Sequence, residues 1–541
     1  MSVDKEVLAL WKEVSPSSAF SAGFKEYAGQ VWVRSHQNVR AALAKIARLR
    51  QKADPVAQKL LASMERGIVW EEPHNPPGEV MGVFFSHLTI EGVNEKHVLS
   101  LAEQCVSLLG VQQDLWERSW PIELQIFSAQ SCDGASALLE TIKRQCESKE
   151  TRQAITALQA RLVLWKKNTC SVKLKRNDFA ETFPLLRKKS MGLGRKNSYS
   201  AVLRDWYDYL ESPKDIERLA VSWIDAEKAA FKKSCQKLAK RYKCKASVEE
   251  INKALGKHQH IPLNELLRTT NELRRAFQKL AVREWVKITP KYDVRVIETP
   301  KYLVPFLPTA AMQPFGQFGR PFCISFVTTD KRASPSTFLP GVAQTLIHEE
   351  YGHCVNFMNS YANKKLREVE IIDSSLSTPL TEGLSFYREL ESLETFRQMV
   401  KSGPRDRVER EVIRLIEKFC PFADFVDGIE FEVLQWRMVR FLRAVSDVRI
   451  NLEKQTFPEF IEWAHKKTGL SRKLIFDQTF HFQENPGYAP CYSVFGQRLR
   501  ALQKRAMKKG VSRVEFNTFV ASAGFPARSI FERNLRGKFR I

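Results

Sequence analysis

A chain of 541 residues with 43% hydrophobic content can bury a substantial core, as one large lobed unit or as two to three conventional domains, and needs no disulfide scaffold. No run of 18 or more apolar residues occurs, and the start, Met-Ser-Val-Asp-Lys-Glu-Val, has no basic stretch ahead of an apolar one; neither a membrane span nor a secretory signal is expected, and the predicted location is cytoplasmic. The net charge of +24 admits nucleic acid or acidic peptides as partners, and ten cysteines without a C-x-x-C pair read as reduced, mostly buried thiols.

In chain order, three- and four-residue apolar spacing predicts helices over 38–66, 97–110, 134–164, 214–242, 249–283, 342–365, 382–401, 405–420, 430–453 and 495–509. The Pro-rich stretch 71–78 and the Lys/Ser/Gly-containing stretch 187–198 read as exposed connections. One segment reads best as a strand, 320–329, set between turn-rich 304–321 and 330–340. The fold class is therefore mainly α, a large multi-helix architecture with a small β-sheet next to the helix at 342–365. An edge strand there could pair with the backbone of an extended peptide.

That helix carries Leu346-Ile-His-Glu-Glu-Tyr-Gly-His353. In H-E-x-x-H two imidazoles one turn apart share a face, and the Glu between them acts as general base beside a zinc ion. Here the second His comes one residue late. At about 100° per residue an i, i+5 pair lies roughly 140° apart on a regular helix, so His348 and His353 can share a metal only if a π-type bulge absorbs one residue. Gly352 sits where the backbone would give way. A third ligand is expected from a carboxylate on the following helix. Glu382 fits, in Ser377-Thr-Pro-Leu-Thr-Glu, with Thr378 placed to cap and Pro379 at the first helical position. Glu349 is then the base. Should His353 point away, Glu350 or Glu389 would take its place on the metal.

These segments resemble the bacterial family catalogued as domain of unknown function 885, a zinc-peptidase-like group with signatures near H-E-A-Y-P-G-H-H and E-G-W-A-L-Y-A-E. His348-Glu-Glu-Tyr-Gly-His353 matches the first without its proline, giving the H-E-x-x-G-H spacing of the dipeptidyl peptidase III family; Glu382-Gly-Leu-Ser-Phe-Tyr-Arg-Glu389 matches the second. Leu10-Trp-Lys-Glu-Val-Ser-Pro-Ser-Ser-Ala-Phe is similar to the family's opening helix and Arg443-Ala-Val-Ser-Asp447 to its R-L-V-V-D segment. Pro486-Gly-Tyr-Ala-Pro-Cys-Tyr492 is similar to its P-G-Q-A-x-S-Y. The chain departs from the family at Cys354, Asn451 and Ala311-Met312, where it has His, His and Tyr-Tyr.

The resemblance implies a lobed metallopeptidase-like fold with a central cleft, a single unit over 1–541. Its lobes would be 1–190 and 191–541, the second holding zinc-binding helices over 342–401. It implies one zinc ion per chain on His348, His353 and Glu382, with Glu349 as base and Tyr492 as donor to the developing oxyanion. Glu389 and Asp447 would support the ligands from behind. The implied function is zinc-dependent hydrolysis of peptides, with dipeptidase and carboxypeptidase modes both open. Two other readings compete: a degraded enzyme that binds peptides or proteins, and a basic nucleic-acid partner. The second draws on 171–196 and 497–541, which hold eight Lys/Arg against two acids and twelve against two. No helix-turn-helix, zinc-finger or RNA-binding signature accompanies them. The expected partner is thus a peptide substrate, attracted as an acidic one if the positive charge lines the cleft; the sequence leaves oligomeric state open.

Overall fold

The computed structural model describes residues 2–69, 75–113, 120–171, 178–301, 304, 310–330 and 337–541. Parts of the expected loop 71–78, of basic segment 171–196 and of the turn-rich flanks of the expected strand lie outside them. The described chain is helical almost throughout, with one three-stranded sheet.

Several long predicted helices are broken where the sequence carries a breaker and a cap. The 38–66 pattern is two helices, His36–Arg50 and Pro55–Val69; Asp54 Oδ1 accepts the amide of Ala57 and Pro55 opens the second helix. The 134–164 pattern breaks between Ile122–Lys143 and Lys149–Thr169, where Ser148 caps, and 249–283 breaks at Pro262 into Val248–His258 and Leu263–Glu284. Apolar periodicity runs through such breaks because both helices face one core.

The organising element is the helix Phe422–Asn451, buried over nearly its whole length. Its first half, with Phe425, Ile429 and Val433, packs into one hydrophobic cluster; its second half, with Met438, Phe441 and Val445, packs into another. It is buried on all sides, with charged residues such as Arg437, Arg440 and Asp447 enclosed along with the apolar ones. It lies along Pro213–Tyr242 on one side and against the helix Thr378–Ser402 on the other.

The sheet has the order β1 (Val294–Glu298), β3 (Phe322–Val327), β2 (Ala310–Phe315). Central β3 is the predicted strand; it runs parallel to β1, with Val294 opposite Cys323, and antiparallel to β2, with Ala310 opposite Val327. β1 and β2 gave no clear signal, because edge strands alternate weakly and β2 contains Pro314. Strand β2 packs on the turn that carries His348 and His353. No helix among the described residues is long and apolar enough to cross a membrane.

Candidate metal centre

The histidine-bearing helix runs in three parts: α-helical Leu339–Leu346, π-helical Ile347–Cys354, and α-helical Val355–Ala362. The π segment absorbs the extra residue between the histidines. Their rings stand edge to face with centroids 4.9 Å apart. The helix Thr378–Ser402 crosses it and brings up Glu382. Its cap is not Thr378, which is already its first helical residue, but Ser377, whose hydroxyl is tied to Asp373 and to the carbonyl of Ser374.

Contact between these two helices is close because Gly352 has no side chain. A Cβ there would lie 2.1 Å from Ser385 Oγ and 2.6 Å from Ser385 Cα. Gly383 does the same on the next face, where a Cβ would meet Phe495 and the backbone of Gly496 within 2.9 Å.

Ligand atoms from His348, His353 and Glu382 all lie within 4.8 Å of one another. Glu382 Oε2 is 3.7 Å from His348 Nε2 and 3.5 Å from His353 Nε2. Atoms about 2.1 Å from a tetrahedral zinc ion stand roughly 3.4 Å apart, so the three fit one such ion. Glu382 is only 9% exposed, and its Oε2 has no hydrogen-bond partner. A buried carboxylate oxygen in that state calls for a cation.

The hydrogen bonds behind the imidazoles fix which nitrogen faces forward. His348 Nδ1 is 2.6 Å from Glu389 Oε1, so it carries the proton and leaves the Nε2 lone pair toward Glu382. Arg440 Nη1 donates to the other Glu389 oxygen at 2.7 Å; its Nη2 also lies 3.2 Å from His348 Nδ1, a contact and not a bond once that nitrogen is a donor. Ser385 donates its hydroxyl to the His348 carbonyl at 3.1 Å and accepts from His353 Nδ1 at 3.1 Å, which turns that ring the same way. A carboxylate behind a ligating imidazole is a recurrent support of metal sites.

Electrostatics point in the same direction. Burial alone would push the His348 imidazole down, but Glu382 and Glu389 hold it up at about 9. Burial would push the Glu382 carboxyl up; His353 and His348 hold it well below the usual carboxylate range. Positive charge is favoured between these groups.

Two tyrosines close the site from the π-helical turn Cys491–Phe495 and the residues before it. Tyr488 donates to Glu382 Oε1 at 2.5 Å. The Tyr492 hydroxyl lies 2.9 Å from that of Tyr488, and since Tyr488 spends its proton on Glu382, Tyr492 is the donor there. The Tyr492 ring stacks beside His348 with centroids 6.2 Å apart. Burial, with Glu382 adding, pushes the Tyr492 phenol up, so it stays protonated.

Glu349 is half-buried and looks into a cavity of about 220 Å³ bounded by the sheet and the helices Leu263–Glu284 and Phe422–Asn451. Glu350 points elsewhere, to Arg274 at 2.8 Å and Tyr292 at 3.0 Å. Neither it nor Glu389 stands in for His353. Asp447 is a step removed: it accepts from Tyr199 at 2.6 Å and from the amide of Gly487 at 2.9 Å, so it holds the backbone next to Tyr488. Arg440, Ser385 and Tyr488 were not legible as site residues. Arg440 lies two turns before Asp447 among other buried charged residues of the same helix, and Tyr488 falls where the resembling family has Gln; its only signal is the i, i+4 pair it makes with Tyr492.

The cysteines beside the site are packing groups, Cys354 and Cys491 both being buried with thiols pushed up by burial. Five of the twelve basic residues of the C-terminal segment 497–541 pair with acids: Arg498, Arg528 and Arg536 with Glu532, Arg500 and Arg513 with Glu394.

The family described as bacterial protein of unknown function (DUF885) matches residues 94–535 of this chain, and the chain belongs to it. No curated protein matches significantly. Among solved structures, the chain is similar to the putative lipoprotein from Colwellia psychrerythraea, at 15% identity and a TM-score of 0.68, over 100% of this chain and 99% of that one. A putative lipoprotein of unknown function from Shewanella oneidensis matches at 15% identity and a TM-score of 0.66, over 99% and 100%. The fold is thus shared end to end. These neighbours overturn the expected cytoplasmic location, since the same fold occurs in proteins named for an attached lipid. That expectation rested on the lack of a long apolar run and of a leader-like start, and neither is evidence of compartment.

Proposed function

We propose that this DUF885 member is a zinc metallopeptidase. The observation that carries the reading is the convergence of His348, His353 and Glu382 from two crossing helices, with ligand atoms within 4.8 Å of one another and one buried carboxylate oxygen facing both imidazoles without a hydrogen bond. His348, His353 and Glu382 would hold the metal. Zinc, when bound, would supply a Lewis acid that makes water a better nucleophile and polarises a carbonyl. The rest falls to the chain's own residues.

Glu389, fixed by Arg440, keeps His348 in the tautomer that presents Nε2. Glu349, which lines the cavity, accepts a proton from the attacking water and returns it to the amine that leaves. Tyr492 lies beside the His348 ring with a phenol that stays protonated, so it can donate to the oxyanion by turning from Tyr488. The H-E-x-x-G-H spacing, like that of the dipeptidyl peptidase III family, fits this reading, because the π segment offers both imidazoles to one ion. Peptides are the substrates, and the net charge of +24 favours acidic ones in approach.

The purified protein should contain about one zinc per chain by elemental analysis and none as His348→Ala. Against a mixed peptide library read by mass spectrometry, Glu349→Gln should keep zinc and fold and lose cleavage by several orders of magnitude, since an amide cannot accept the proton. A wild-type protein unable to take up zinc, or full activity in Glu349→Gln, would defeat the proposal.

A further inference from the structure

The cavity beside Glu349 is lined by Leu266, Phe338, Val342, Leu346 and Trp436. Its volume of about 220 Å³ is room for roughly seven waters, enough for one long side chain and not for a whole peptide. No Lys or Arg lines it among the described residues. One group does not belong with such walls. Glu432, from the helix Phe422–Asn451, lines the same cavity, is 4% exposed, and has an Oε1 with no hydrogen-bond partner. Trp436, one turn on, interacts with the carboxyl; among the described residues no cation answers it, and Arg440 on the same helix is committed to Glu389.

We infer that this cavity is a subsite for the Lys or Arg side chain of a substrate residue next to the cut bond, with Glu432 as the group that selects it. The inference rests on the peptidase reading, because it places the cavity beside the base of that reaction. Apolar walls match the methylene stem of Lys or Arg, and a carboxylate in a slot of this kind is how a pocket selects a cationic side chain. Burial pushes the Glu432 carboxyl up to about 8, so near neutrality an arriving cation has only about a factor of ten to overcome in ionising it. An uncharged side chain would fill the walls and leave Oε1 without a donor. An acidic one would meet Glu432 and Glu349 together. The charge of +24 acts on approach of the whole peptide, whereas this pocket acts on one side chain.

The test uses zinc-loaded full-length protein and peptides that differ at one position, Lys, Arg, norleucine or Glu, with cleavage followed by mass spectrometry. Wild type should favour Lys and Arg over norleucine at one fixed position relative to the cut bond. In Glu432→Gln, kcat/KM for the Lys peptide should fall on the order of a hundredfold, to the norleucine level, with the norleucine peptide unchanged. Equal losses on all peptides, or a wild-type preference for norleucine, would overturn the subsite. If wild type cuts nothing, the peptidase reading has failed, and the subsite is judged by calorimetry with n-butylguanidinium and butanol. Binding of the cation alone, lost in Glu432→Gln, supports it; absence of binding, or equal binding to both proteins, overturns it.

Discussion

Gly352→Ala should cost more in metal affinity than in stability, and the reason is a distance. The added methyl would start 2.1 Å from Ser385 Oγ and 2.6 Å from Ser385 Cα. Ordinary carbon contacts begin near 3.5 Å, so rotating Ser385 cannot solve the problem: its Cα belongs to the backbone, and the two helices must part by about 1 Å. Glu382 lies one turn before Ser385 on the same helix, and the histidines flank Gly352 on the other. A shift of that size opens the 3.5 and 3.7 Å gaps between Glu382 and the imidazoles, where a zinc site tolerates about 0.2 Å. It also strains the bond from Ser385 to His353 Nδ1. Overpacking of this kind costs about 1–3 kcal/mol in folding. Zinc affinity should fall by at least the ~10- to 100-fold seen when a support of a metal ligand is removed. Competition against a chromophoric chelator gives the affinity, and urea unfolding of the metal-free protein gives the stability. Wild-type zinc affinity in a folded Gly352→Ala protein would refute the reasoning. Gly352→Val, with a branched side chain in the same place, should be worse on both counts.

Arg440→Met removes the partner that lets Glu389 remain ionised in a fully buried position, so zinc affinity should drop about 10- to 100-fold and stability by several kcal/mol; a change in only one of the two would separate the roles assigned here. Tyr488→Phe should free Glu382 Oε1 and leave Tyr492 without its acceptor, lowering metal affinity less than Arg440→Met does; calorimetric zinc titrations of both variants rank them, and the opposite order would argue against it. Glu432 is raised from an ordinary 4.5 to about 8 by burial, so its contribution to stability is fully present below pH 4.5 and is lost as pH rises through 8. Relative to wild type, Glu432→Gln should therefore gain stability between pH 5 and pH 9, by at most about 5 kcal/mol at ~1.4 kcal/mol per pH unit. An unchanged difference across that range would show that the carboxyl is not strained by burial.

Local chemistry was the legible part of the sequence. His348, Glu349, His353 and Glu382 could be picked out because metal ligation needs those residue types at fixed steps, and the late second His could be read as a bulge because a regular helix points it away. Helix ends were less legible: the 38–66, 134–164 and 249–283 patterns each join two helices that share a core face. Residues that act across the fold left no mark. Ser385 matters through a glycine 33 positions earlier, and Arg440 through a glutamate on another helix; Glu432 reads as one more polar step in a buried pattern until the cavity is seen. The edge strands β1 and β2 escaped for a related reason, since half of each strand's environment comes from elsewhere.

The helix Phe422–Asn451 joins two hydrophobic clusters and carries Arg440, the anchor behind Glu389 and His348. A support built on such an element cannot withdraw by a local excursion, because moving Arg440 means disturbing both clusters. Amide hydrogens along Ile429–Val445 should therefore exchange only with global unfolding, and bound zinc should raise their protection by the full amount it adds to the stability of the chain. Metal release would then be slow on the scale of ordinary surface sites. Its rate would follow the unfolding rate of the whole molecule, so a chelator would draw zinc out at a speed set by the protein and not by its own concentration.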